Sequence, residues 1–166
     1  GTNYGTKTLA QATAVSSNTG YAQVALAIGN DKIISMCKDL GIDTEAAGMD
    51  PSVLSLTLGA MAQGITPLEM AEAYATFASG GQHRNAVAVT EITSRSGATL
   101  YKHEDKYDQV LTTGEAQAVT NVLKTVMQGG GTGSSGALSV NQPVAGKTGT
   151  AGDAGTTSDI WFCGYT

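Results

Sequence analysis

The chain has 166 residues, 41% hydrophobic and 14% charged, with 22 glycines. That is enough apolar material for one core, so wholesale disorder is excluded and glycine-containing loops are expected. Its net charge is −5 and its nine Lys and Arg are scattered from Lys7 to Lys147, which excludes a nucleic-acid partner, because phosphate contacts need clustered basic residues.

No stretch approaches the ~18 consecutive apolar residues of a membrane span, and no signal-peptide pattern opens the chain. The start at Gly1-Thr2-Asn3-Tyr4, without Met, fits a processed or excised piece of something longer. Cys37 and Cys163 are far apart, fit no metal-ligand spacing, and each has an apolar neighbour (Met36, Phe162), so buried free thiols are expected.

The first half reads as helical. Residues 8–16 place Leu9, Ala12 and Val15 on one face, and residues 21–28 are apolar on most sides, as in a buried helix. Asn30 is expected to cap a helix through Leu40, with Gly41 as its left-handed stop. Thr66-Pro67-Leu68-Glu69 is the strongest local signal: an N-cap Thr, Pro at the first helical position, and Glu at the capping-box position. That helix runs through Tyr74 and Ala78 until Gly80-Gly81 ends it.

At the centre the period changes. Residues 86–93 are rich in Val, Ile and Thr, and Ser96-Gly97 turns the chain toward residues 98–101, which predicts a hairpin. Thr112, with Glu115 three residues later, opens a further helix carried by Ala116, Val119, Leu123 and Val126. Residues 129–136 hold five glycines, two serines and a threonine and read as a flexible loop. Two strands close the chain, 144–150 and 160–165, and a terminal strand that leaves unpaired edge groups again suggests a piece of a larger sheet.

The chemistry concentrates at Lys147-Thr148-Gly149-Thr150, on the first of those strands. Lys147 supplies a positive charge, the Thr hydroxyls suit a carboxylate, Gly149 lets a substrate approach the backbone, and the Thr150 N–H can face a developing oxyanion. A phosphate-binding P-loop would need Gly five residues before Gly146, where Asn141 stands, and a helix rather than a strand after the lysine. Far upstream, Ser16-Ser17-Asn18 sits at the end of a helix. A Ser hydroxyl and an Asn amide two residues apart can share a cleft, one relaying a proton and the other holding a peptide carbonyl, although Ser-Asn pairs also serve as simple caps and turns.

Together and in this order, Ser16-Ser17-Asn18 and Lys147-Thr148-Gly149 resemble the second and third motifs of penicillin-interacting serine enzymes, which carry Ser-x-x-Lys, Ser-x-Asn and Lys-Thr-Gly along the chain. Thr66-Pro67-Leu68-Glu69-Met70-Ala71, the following Tyr74-Ala75-Thr76-Phe77-Ala78, and Trp161-Phe162-Cys163-Gly164-Tyr165-Thr166 extend the resemblance to class A penicillin-binding proteins, from about Thr8 to Thr166. None of the 15 residues ahead of Ser16 forms Ser-x-x-Lys, so the first motif and its nucleophile are missing. Ser35-Met36-Cys37-Lys38 fits that pattern but follows the second motif, within a helix, and Ser139-Val140-Asn141 is a second Ser-x-Asn string in the loop before the third motif; both read as coincidences.

The resemblance implies an α+β, β-lactamase/transpeptidase-like fold, with residues 1–166 forming a partial domain whose helices pack on an antiparallel sheet lacking strands at both ends. It implies the parent reaction: an acyl-serine forms on the penultimate D-Ala carbonyl of a peptidoglycan stem peptide ending in D-Ala-D-Ala, then passes to a second stem. β-Lactams acylate the same serine. Ser16 would relay protons, Asn18 would orient the acyl side chain, Lys147 would set the field, and Thr148 and Thr150 would hold the terminal carboxylate beside Gly149. No metal or cofactor is implied. The partners are the stem peptide, β-lactams and the missing N-terminal part of the domain, at the outer face of the cytoplasmic membrane, anchored through a segment not in this chain. Whether the piece folds with that part, exchanges strands with another copy, or stands alone is open. The alternatives are a penicillin-recognising sensor and a non-catalytic interaction fragment. A class A β-lactamase would need a Glu-x-x-Leu-Asn string that does not occur.

Overall fold

The computed structural model describes residues 5–152 and 156–166; the opening four residues read above lie outside them. Among the described residues, four α-helices precede two antiparallel strand pairs, and a fifth helix separates these from a third pair. The helices are α1 (Leu9–Ala14), α2 (Asn18–Ile28), α3 (Asn30–Asp39), α4 (Pro67–Ala78) and α5 (Thr113–Val126). The strands are β1 (Gln82–His83), β2 (Glu91–Thr93), β3 (Thr99–Lys102), β4 (Asp108–Gln109), β5 (Ala145–Ala151) and β6 (Asp159–Tyr165). The expected mixture of helices and antiparallel strands is found, but as three two-stranded sheets, β1–β4, β2–β3 and β5–β6.

Local chemistry explains where the helices start. Thr8, Thr66 and Thr112 each cap a helix with a reciprocal capping box, completed by Gln11, Glu69 and Glu115. Glu69 does more than cap. Its Oε2 accepts from the Thr66 N–H at 2.9 Å while its Oε1 accepts from the Asp43 N–H at 3.0 Å, tying the loop after α3 to the head of α4. These bonds, the Thr66 hydroxyl first, hold the Glu69 carboxyl below its ordinary pKa. Asn30 does not cap α3: Gly29 occupies that position, and the Asn30 amide instead donates to the carbonyls of Pro51 and Val53. Gly41 does take the left-handed conformation (φ 86), and a Cβ there would run into the His83 ring.

Further departures from the expected elements have local causes. The first helix ends at Ala14 because Ser16 is left-handed, and α2 then begins at Asn18 rather than Tyr21. α2 is not buried on most sides; Ala25 is its one buried residue, and Leu26 is 74% exposed. Of the strand expected over 86–93 only Glu91–Thr93 pairs, with a register irregularity between Ile92 and Thr93. The hairpin at Ser96-Gly97 forms as expected. The short β1–β4 pair had no sequence signal strong enough to place it.

Two packing centres hold the frame. Leu40, Ile42 and Ala73 form one, with Cys37, Met49, Ile65, Phe77 and Val110 against them. In the other, α5 lies across β5 and against α1, while α4 packs on β6. Val126 and Thr76 are fully buried, and the Tyr165 ring meets Tyr74 edge-on at 6.4 Å while its hydroxyl pairs with the Thr120 hydroxyl at 2.8 Å. Both thiols are free, though half-buried rather than buried, and desolvation pushes each above its ordinary pKa.

Candidate active site

The α1–α2 corner is built to hold one serine in an unusual conformation. Ser16 follows the C-cap Val15 with φ 53. Its N–H donates to the Thr13 carbonyl at 3.1 Å, and the Ser17 N–H donates to the Ala12 carbonyl at 2.9 Å. This is the Schellman pattern of helix termination, with Ser where glycine is the usual occupant. Ser17 is buried and caps α2, its Oγ accepting from the Gly20 N–H at 3.2 Å. Thr13 Oγ1 donates to the Leu9 carbonyl at 2.8 Å, so it accepts from the Tyr21 hydroxyl at 2.5 Å, fastening α1 to α2 across the corner. The cap reading of Ser-Ser-Asn is therefore true of Ser17, and it leaves the Ser16 hydroxyl to meet Lys147. Asn18 is the first residue of α2, exposed, and no hydrogen bond engages its side chain among the described residues.

Across from this corner runs β5. Its register with β6 pairs Lys147 with Cys163, Thr148 with Phe162, Gly149 with Trp161 and Thr150 with Ile160. Strand alternation puts Thr148 and Thr150 on one face and Lys147 and Gly149 on the other. Lys147 Nζ donates to Ser16 Oγ at 2.8 Å and to the Thr148 carbonyl at 2.8 Å, joining residues 131 positions apart in sequence. It takes part in neither of the two ion pairs among the described residues. Burial without a neutralising carboxylate pushes its ammonium below the usual lysine pKa.

Glycines in this hairpin are set by packing as well as by access. A Cβ on Gly149 would lie 3.2 Å from the Trp161 Cβ, and one on Gly146 would stand 2.6 Å from the Phe162 ring. The absent side chain at Gly149 thus serves the cross-strand neighbour on its own face.

Sequence reasoning missed one residue at the site. The loop over 129–136, read as flexible, has a defined path. Gly131 N–H donates to Gln128 O at 2.9 Å, Gly133 N–H to Val126 O at 3.0 Å, and Thr132 N–H to Ala14 O at 2.9 Å. The Thr132 hydroxyl lies 2.7 Å from that of Thr148. A Thr flanked by two glycines was the available signal. The decoys fall elsewhere: Ser35 and Lys38 ride on α3, which packs on α2 and on a 3₁₀ turn at Leu56–Leu58, and Asn141 is an exposed left-handed turn residue (φ 54). A cleft of about 640 Å³ borders Arg84, Tyr101 and Asp105 near the β2–β3 hairpin and includes neither Ser16 nor Lys147. The Ser16–Lys147 pair lies outside that cleft.

Comparison with known proteins agrees with this geometry. The sequence matches the penicillin binding protein transpeptidase domain over residues 1–166. It is 34% identical over 165 residues to penicillin-binding protein 4 of Bacillus subtilis, covering 98% of this chain and 25% of that protein. Penicillin-binding protein 1F of the same organism is 32% identical, with 98% and 22% covered. Among solved structures, PonA1 from Mycobacterium tuberculosis superposes with a TM-score of 0.81 at 26% identity, covering 99% of this chain and 46% of that one. The D,D-transpeptidase domain of a peptidoglycan glycosyltransferase from Eggerthella lenta gives 0.78 at 28% identity, with 98% and 46% covered. The chain thus spans about a quarter of the curated relatives and under half of the solved chains. These relatives agree with the class A resemblance of its motifs. With its whole length matched, the chain that brings Ser16 against Lys147 belongs to the penicillin-binding protein transpeptidase domain family.

Proposed function

We propose that this chain forms the proton-relay and carboxylate-binding walls of a D,D-transpeptidase active site, and that the nucleophilic serine comes from a segment outside these 166 residues. The observation that carries the reading is the 2.8 Å bond from Lys147 Nζ to the left-handed Ser16. A structural serine gains nothing from that backbone, whereas a serine aimed at a lysine across a groove gains a proton path. The solved complex of PonA1 with penicillin V supports the ligand class.

In the reaction, the nucleophile's oxygen bonds to the penultimate D-Ala carbonyl carbon of a stem peptide, and the amide to the terminal D-Ala breaks. The nucleophile's proton ends on the departing amine. Ser16 Oγ, held by Lys147, is placed to pass it, since a hydroxyl can accept and donate in one step. A lysine with a depressed pKa gives up its proton more readily than an exposed one, and when charged it stabilises the developing oxyanion. Asn18 has an unengaged amide for the acyl side chain, and the Thr148 and Thr150 hydroxyls share the face that meets the terminal carboxylate. The Thr150 N–H completes the oxyanion site beside Gly149. The reaction takes place outside the cytoplasmic membrane, with anchoring left to a segment not in this chain.

Without the nucleophile the covalent route is closed, whatever binding remains. Intact-mass analysis after incubation with benzylpenicillin tests this. The expected result is no adduct on this chain alone and one adduct on a polypeptide that joins it to the nucleophile-bearing segment. An adduct on the isolated chain would refute the reading and return attention to Ser35. No adduct on the joined polypeptide would favour the non-catalytic interaction reading.

A further inference from the structure

Resting on the function just proposed, we propose that Thr132 is a positioning residue for the substrate carboxylate: its hydroxyl orients that of Thr148, and its main chain braces the corner carrying Ser16. The two contacts reach both halves of the site at once. Thr132 Oγ1 lies 2.7 Å from Thr148 Oγ1, and the Thr132 N–H donates to Ala14 O at 2.9 Å, two residues before Ser16.

A hydroxyl has one proton and two lone pairs, and a carboxylate has no proton to give. For Thr148 to spend its proton on the ligand, the bond between the two hydroxyls must be donated by Thr132. That direction leaves the Thr148 O–H pointing outward and makes it a better donor, because a hydroxyl that accepts a hydrogen bond is polarised toward giving one. Removing the Thr132 oxygen leaves Thr148 free to rotate.

The loop is shaped for this task. A Cβ at Gly131 would run into the Val126 carbonyl, and one at Gly133 would lie 2.8 Å from Met127 Sδ and 3.3 Å from Val126 O. Both positions therefore press on the end of α5, leaving Thr132 to reach across to β5. The floor beneath is fixed, since Val126 is fully buried and α5 packs against α1. Thr132 thereby sets the distance between the two motif-bearing elements as well as the direction of one hydroxyl.

The test compares T132V and T132S with the wild type in a full-length transpeptidase containing this chain. The readout is the rate of acylation by benzylpenicillin and by its methyl ester, which lacks the carboxylate. T132V, nearly isosteric, is expected to slow benzylpenicillin about five- to tenfold, the worth of one net hydrogen bond, while the ester rate changes by less than about twofold. T132S is expected to restore the benzylpenicillin rate to within about twofold. Equal losses with both ligands and no rescue by serine would reduce Thr132 to a structural brace and overturn the proposal, as would an unchanged benzylpenicillin rate in T132V. Failure of the wild type itself to be acylated would overturn the underlying function, an outcome read before any variant is compared.

Discussion

The left-handed Ser16 can be tested as a conformation apart from its chemistry. S16G and S16A both remove the oxygen that receives the Lys147 ammonium, so that loss cancels between them. What differs is the cost of placing a Cβ at φ 53. A left-handed non-glycine residue costs roughly 1–2 kcal/mol, and glycine gives back about 0.4–1 kcal/mol through its larger unfolded-state entropy. S16G should therefore be the more stable variant by about 0.5–1 kcal/mol, a Tm gap of ~2–3 °C for a domain of this size. The assay is paired thermal and denaturant unfolding of the two variants in the same transpeptidase background, followed by penicillin acylation of each. Both should lose acylation to the same degree if Ser16 has the proposed relay role, because both lack its oxygen. If S16A matches or exceeds S16G in stability, Ser16 is not held left-handed and the account of the corner fails.

Other consequences follow from single contacts. The depressed pKa of Lys147 means that the unfolded chain binds its proton more readily than the folded one, so stability should rise with pH through the folded pKa toward the ordinary value of 10.5. Denaturation midpoints compared between wild type and K147M from about pH 8 upward should show that rise shrinking in the mutant, and parallel curves would contradict it. T66A removes the cap of α4 and should cost about 1 kcal/mol, a fall of ~2–4 °C in Tm; no change would mean that the Glu69–Asp43 link alone holds the helix head. G146A pushes a Cβ toward the Phe162 ring and the Cys163 carbonyl and should destabilise by about 1–3 kcal/mol. Adding F162A should relieve part of that, and a double-mutant cycle with coupling below about 0.5 kcal/mol would show that the ring does not lie across Gly146.

Elements whose signals are local were legible from the chain. Thr66-Pro67 with Glu69, and Thr112 with Glu115, carry their own start instructions, and both helices begin where those residues say. The third-motif strand was legible too, to within a residue at each end. Elements defined by partners were not. Asn30 looked like a cap, but its amide is taken by carbonyls 21 and 23 residues downstream, which no local pattern announces. Residues 86–93 have strand composition, yet only three of them find a partner strand. The glycine-rich loop misled for the same reason, since its order comes from Ala14, Val126 and Thr148 on three other elements.

Ser16-Ser17-Asn18 shows why motif spelling and local structure give different parts of the answer. As a string it fits both a helix cap and a catalytic motif, and in the structure the capping role falls to Ser17 alone. Ser17 is buried and satisfies the first turn of α2, which fixes the backbone on either side of it. Ser16 inherits from that arrangement a conformation glycine would adopt at lower cost, and Asn18 is left at the head of the helix with its amide unengaged. A corner selected for stability alone would place glycine at position 16. The serine accepts about 1–2 kcal/mol of backbone strain, and an exposed hydrogen bond from Lys147 returns roughly 0.5–1.5 kcal/mol of it. With so little net gain in stability, a serine at this position is better explained by what its hydroxyl does for a ligand than by what it does for the fold.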